Sequence, residues 1–136
     1  MTMRILGIDY GKKRVGIAIS DDKAMMAFPK AVLPNDNYLM RELKDLIKGH
    51  GIGTAVVGES KDFGMKDNPI MADVRRFVAE LEREAGVVVV YEPELLSSHQ
   101  AAQVGHTLGK SGKTDMIDAS AASIILQSYI DRTKSS

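Results

Sequence analysis

Asp9, Glu92, Glu94, Asp115 and Asp118 are the carboxylates whose places in the chain could do chemistry together. Asp9 ends the apolar run Ile5 to Ile8, and Glu92 and Glu94 follow the run Val87 to Tyr91. Asp115 and Asp118 stand three apart at the front of a segment rich in small residues. In open α/β sheets ligands bind beyond the carboxyl ends of strands, so acids at two strand ends are expected near one another. The three-residue spacing puts Asp115 and Asp118 on one helix face, and Ala119, Ser120, Ala121 and Ala122 let that helix approach a sheet closely. Carboxylates converging on one point repel strongly unless cations neutralise them. Oxygen donors without thiolate or imidazole suit Mg²⁺ or Mn²⁺. Two such ions about 3.5–4 Å apart can activate a water and stabilise the leaving oxygen in phosphodiester hydrolysis. Lys12, Lys13 and Arg14, just beyond Asp9, would then hold phosphates nearby. Each group also has a plainer role: Asp9 in a turn, Asp115 as a first-turn acid stabilising a helix dipole, the three cations as a solvated bend.

The elements that must position these groups follow from hydrophobic periodicity. Ile5 to Ile8 and Val15 to Ile19 flank a short turn containing Gly11, which reads as a hairpin. A third extended segment is expected at Met25 to Leu33, where Pro29 argues for an edge position or a bulge. Asn35 or Asp36 then caps a helix whose apolar positions are Leu39, Met40, Leu43, Leu46 and Ile47, stopped by Gly49 and Gly51. Ala55 to Val57 is a short buried strand leading into a polar loop, Gly58 to Asp67. Met71, Val74, Phe77, Val78 and Leu81 form one stripe of a second helix that Gly86 ends. Val87 to Tyr91 is a continuous β-branched run of the kind found in strands buried on both faces. Helices are expected from about Ser97 to Gly105 and from Thr114 or Asp115 to about Arg132. The order predicts an α/β domain: a mixed sheet with an antiparallel meander at the front and helices on its faces.

A chain of 136 residues suits one domain, here 1–136, and no repeat or linker divides it. Eighteen basic residues balance eighteen acidic ones, so affinity for nucleic acid must come from a local basic patch. The absence of cysteine removes disulfides, thiolate metal sites and thiol nucleophiles. No long apolar run and no signal-like start are present, so a cytoplasmic protein without membrane attachment is expected.

Three stretches, "GIDYGKKRVGIAIS", "YEPELLSSHQA" and "KTDMIDASAASIILQSYI", together resemble the YqgF family of RNase H-like Holliday junction resolvases, also assigned as pre-16S rRNA processing nucleases. The likeness runs in order through nearly the whole chain. It is most specific from Asp9 through Ala18, which is similar to the family signature Asp-Tyr-Gly-x-Lys-Arg-x-Gly-x-Ala. The resemblance implies a five-stranded RNase H-like mixed sheet, three antiparallel strands then two parallel, with helices on both faces. It implies a catalytic, metal-binding triad of Asp9, Glu94 and Asp118, with Asp115 an additional candidate ligand. Glu94 is preferred to Glu92 because Glu94-Leu95-Leu96-Ser97-Ser98 keeps the register of the family's Glu-Arg-Leu-Ser/Thr-Thr. Lys12, Lys13, Arg14, Ser97, Ser98 and Lys113 would position the backbone of a structured RNA or branched DNA. Aromatics make up 5% of the chain, so recognition would rest on shape and phosphate geometry more than on base stacking. Symmetric cutting of a junction would need two active sites, hence a homodimer.

Two departures bear on activity. Leu95 stands where the family usually has Arg, and Gly58-Glu59-Ser60 replaces a Gly-Leu-Pro-like turn. A leucine cannot imitate a bidentate phosphate ligand, so the competing expectation is a nucleic-acid-binding module of the same fold with impaired catalysis. A phosphate-binding loop at "GKSGKTD" fails on spacing, and an actin-like kinase would need a second domain. His99 and His106, seven apart, lack the carboxylate partner that would favour zinc.

Overall fold

The β-branched runs on either side of Gly11 do form a hairpin. The computed structural model describes residues 4–59, 70–93 and 114–134, with the backbone alone for 114–119 and 134. β1 (Ile5–Tyr10) pairs antiparallel with β2 (Arg14–Ser20), and β2 pairs antiparallel with β3 (Ala27–Pro34). At Gly11 an added Cβ would lie 2.6 Å from the Arg14 carbonyl oxygen, a separation no side chain tolerates, so the tight return needs glycine. β3 is an edge strand, and its register slips where Ala18 faces Pro29 after Ile17 has faced Ala31. Pro29 cannot donate to the ladder; the sequence argues for an edge position or a bulge, and the structure has both.

α1 (Leu39–His50) buries Leu39, Leu43 and Ile47. Its N-cap is Tyr38, with no side-chain cap, so the expected capping by Asn35 or Asp36 is corrected: the Asp36 carboxylate accepts the Tyr38 N–H at 2.9 Å in the turn before the helix, and Asn35 braces the hairpin by donating its amide to the Gly11 carbonyl at 2.7 Å. Gly49 lies inside α1, and Gly51, at φ 64°, closes it. β4 (Thr54–Glu59) then returns parallel to β1. α2 (Met71–Ala85) buries the five apolar residues of its expected stripe and ends at Gly86, φ 70°. β5 (Val88–Pro93) pairs parallel with β4, and α3 (Thr114–Lys134) completes the order.

The five strands run β3-β2-β1-β4-β5, three antiparallel and two parallel. β5 is thus the other edge, and Val88 is 62% exposed. The expectation of a strand buried on both faces is corrected here: Val88 is exposed and Val89, Val90 and Tyr91 are half-buried, so the valines reflect β propensity in an edge strand that α2 and α3 each cover in part. The helices divide between the faces. Leu6, Ile8, Val15, Ile17, Ala55 and Val57 pack with α1 and α2, while Ala18, Val56, Ala122, Ile125, Leu126 and Ile130 make a second core beneath α3. Each fully buried Val, Leu or Ile among them contributes about 1.5–3 kcal/mol relative to exposure. Among the described residues no helix is long and apolar enough to cross a membrane.

Candidate active site

Strand alternation decides which way each residue of β1 faces. Leu6 and Ile8 belong to the core under α1 and α2, and Tyr10 meets Phe77 of α2 with ring centroids 4.8 Å apart. Gly7 faces α3: an added Cβ there would lie 2.8 Å from Leu126 Cβ and 2.9 Å from the Ala122 carbonyl oxygen. Asp9 shares that face, half-buried, at the carboxyl end of the central strand and opposite Gly16 of β2. A half-buried carboxylate at that end of the sheet, beside a helix seated within touching distance of the strand, is suited to hold a cation.

The cations expected beside it stand in the β1–β2 turn and at the start of β2. Lys12 and Lys13 are exposed in the β1–β2 turn, and Arg14 is the exposed first residue of β2. Asp115 and Asp118 lie in the opening turns of α3. Asp118 precedes Ala122 by one helical turn of α3. Glu94, Ser97, Ser98 and Lys113, like His99, His106 and the segment expected to be helical from Ser97 to Gly105, lie outside the described residues. Among the described residues no group of three or more His, Asp or Glu side chains could hold a metal ion. The expected donor set is carboxylate oxygen throughout, which fits Mg²⁺ or Mn²⁺ and not a softer ion.

Sequence reasoning counts Glu92 among the carboxylates that could meet at the strand ends but prefers Glu94 as the ligand, and the structure gives Glu92 partners on α3. Val57 pairs with Ile8 and Gly58 with Glu92, so Asp9, Gly58 and Glu92 fall on one row across the carboxyl ends of β1, β4 and β5, about 10 Å from end to end. Glu92 is only 3% exposed. Its Oε1 accepts from Arg132 Nη2 at 2.6 Å and Nε at 3.2 Å, and its Oε2 accepts from Ser128 Oγ at 2.9 Å. The hydrogen bond and charge of Glu92 raise the Arg132 pKa above its usual value. The signal for this pairing was present as Ser128 and Arg132 at i, i+4 on the last helix, but nothing local to them names an acid on a distant strand.

A cleft of about 460 Å³ opens on the opposite face of the sheet, between α1 and α2, where Tyr10 and Phe77 meet Asp36, Asp73 and Glu80. It is separated from Asp9 by the sheet itself.

A family profile described as "RuvX: Holliday junction resolvase" matches residues 3–132. A protein of Anaplasma marginale named "Putative pre-16S rRNA nuclease" is 33% identical over 135 residues, covering 96% of this chain and 86% of its own. One of the same name from Geobacillus kaustophilus is 33% identical, covering 95% and 98%. Among solved structures, Thermus thermophilus RuvC in complex with a Holliday junction substrate superposes with a TM-score of 0.64 at 17% identity, over 97% of this chain and 96% of that one. That likeness places the mixed five-stranded sheet among RNase H-like resolvase folds. With the signature around Asp9 at the carboxyl end of the central strand and a match from residue 3 to residue 132, the chain belongs to the RuvX family of Holliday junction resolvases.

Proposed function

We propose that this protein is a single-domain, divalent-metal-dependent endonuclease that hydrolyses phosphodiester bonds in structured nucleic acid, either precursor 16S rRNA or a branched DNA junction, in the cytoplasm. The observation that carries this reading is the carboxylate of Asp9 at the carboxyl end of β1, on the face α3 covers, in a chain of the RuvX family. Asp9, Glu94 and Asp118 would bind the ions, with Asp115 as a further ligand. Divalent ions held there would lower the pKa of an attacking water and stabilise the departing oxygen. The chain's own part is to fix the scissile phosphate. Lys12, Lys13 and Arg14, projecting from the turn beside Asp9, neutralise phosphates along the backbone, and Ser97, Ser98 and Lys113 add contacts. Such contacts read backbone shape, which suits a substrate defined by structure more than by sequence.

The substitution of Leu95 for the family's usual Arg favours a second reading, a nucleic-acid-binding module with little catalysis. Labelled precursor 16S rRNA fragments and four-way DNA junctions, each with Mg²⁺ or Mn²⁺, separate the two. Metal-dependent cleavage that Asp9→Asn abolishes supports the enzyme. Tight binding with no cleavage in either ion supports the module. The mass of the protein in solution, alone and with a junction, tests whether a homodimer supplies paired sites.

A further inference from the structure

α3 is fastened to the sheet by polar contacts at both edges, made from neighbouring positions. Gln127 reaches the start of β3, accepting the Ala27 N–H at 2.8 Å and donating to the Met25 carbonyl at 3.3 Å. Ser128 and Arg132 reach the end of β5 through Glu92. Between these fastenings the helix rests on aliphatic residues, Ala122, Ile125, Leu126 and Ile130. Apolar contact is non-directional, whereas hydrogen bonds to fixed partners favour one rotation of the helix about its axis. Position 118 is fourteen residues from Arg132, close to four full turns, and therefore lies on nearly the same face. A turn of the helix by about 10° would move a group carried about 6 Å from its axis by about 1 Å, more than a metal site tolerates.

We propose that Glu92 is a positioning residue: through Arg132 and Ser128 it sets the rotation of α3 on the sheet, and so sets where the acids at the head of that helix stand relative to Asp9. This rests on the assignment of Asp9 and Asp118 as metal ligands. Three features make Glu92 fit the role. It is buried, so its hydrogen bonds are not competed away by water. Both its oxygens are used, one by each of two residues a single helical turn apart. It stands one residue before the end of β5, on the same row as Asp9, so the brace and the acid share one sheet.

The test is Mn²⁺ binding, followed by water-proton relaxation, and metal-dependent cleavage for wild type, Glu92→Ala, Arg132→Ala, the double variant and Glu92→Gln. Loss of the brace is expected to weaken Mn²⁺ binding about tenfold and to lower kcat, with KM for nucleic acid little changed. The double variant should be no worse than either single one. Glu92→Gln, which still offers an acceptor to Arg132, should recover most of the binding. Arg132→Ala removes an exposed group and keeps the test open if Glu92→Ala does not fold. Variants that melt at lower temperature yet bind Mn²⁺ as tightly as wild type would make the brace purely structural and overturn the inference. Wild-type protein that binds no Mn²⁺ would overturn the metal-site assignment and this inference with it.

Discussion

Gly7→Ala is the smallest change that should disturb the seat of α3. The added Cβ would lie 2.8 Å from Leu126 Cβ and 2.9 Å from the Ala122 carbonyl oxygen, and neither obstacle is the tip of a flexible side chain. Carbon atoms pack at about 3.5–4.0 Å, so the helix must back away from β1 by roughly 0.7 Å or more. Overpacking of this kind costs about 1–3 kcal/mol, and the smaller chain entropy of alanine in the unfolded state returns only part of it. A net loss of about 2 kcal/mol corresponds to a melting temperature lower by roughly 8 °C for a domain of this size. The effect on cleavage should be larger than the effect on folding. Asp9 lies two residues beyond Gly7 and Asp118 one turn before Ala122, so the same retreat separates the expected ligands, and a misplacement of about 1 Å can cost about 100-fold in rate. Thermal melts and cleavage assays at a temperature where both proteins are folded would check this, with Gly53→Ala as control because nothing lies within 4 Å of a Cβ there. A Gly7→Ala protein that melts with wild type and cleaves at full rate would refute the close seating of α3 on β1.

Three other substitutions test separate parts of the account. Asp118→Asn should leave the protein folded and eliminate cleavage, and without metal it should melt at or above the wild-type temperature because a repulsive charge is gone; unfolding on substitution would make Asp118 structural. Replacing Lys12 and Lys13 together by alanine should weaken nucleic-acid binding across sequences and reduce the slope of log K against log salt by about 1 to 2, measured by fluorescence anisotropy in a salt series. An unchanged slope would return the turn to the status of a solvated bend. Gly49→Ala, inside α1 with no neighbour to meet, should stabilise the protein by about 0.5–1 kcal/mol in urea unfolding.

Much of the fold was legible because the strands and helices carry their own local instructions. Pro29 announced an edge and a bulge, Gly86 announced a helix end, and the stripe Met71 to Leu81 announced the buried face of α2. The reading of Val87 to Tyr91 as a strand buried on both faces fails for a physical cause: a β-branched run records preference for extended backbone, while burial is set by where topology places the strand. Asp9 could be singled out because one carboxylate interrupts an apolar run at a strand end. The Glu92–Arg132–Ser128 contact could not, since it joins residues about forty apart whose only shared signal is complementary charge.

The close approach at Gly7 also bears on how the protein comes into being. Gly7 and its neighbours on α3 are more than a hundred residues apart in the chain, and every strand is made before that helix. While the ribosome is still extending the polypeptide, the sheet can close over α1 and α2 but must leave Ala18 and Val56 uncovered. Non-local contacts of this sort fold slowly and expose sticky intermediates. Nascent chains stalled ahead of residue 120 should therefore attract chaperones, and chains carrying all 136 residues, held clear of the ribosome by an added linker, should not.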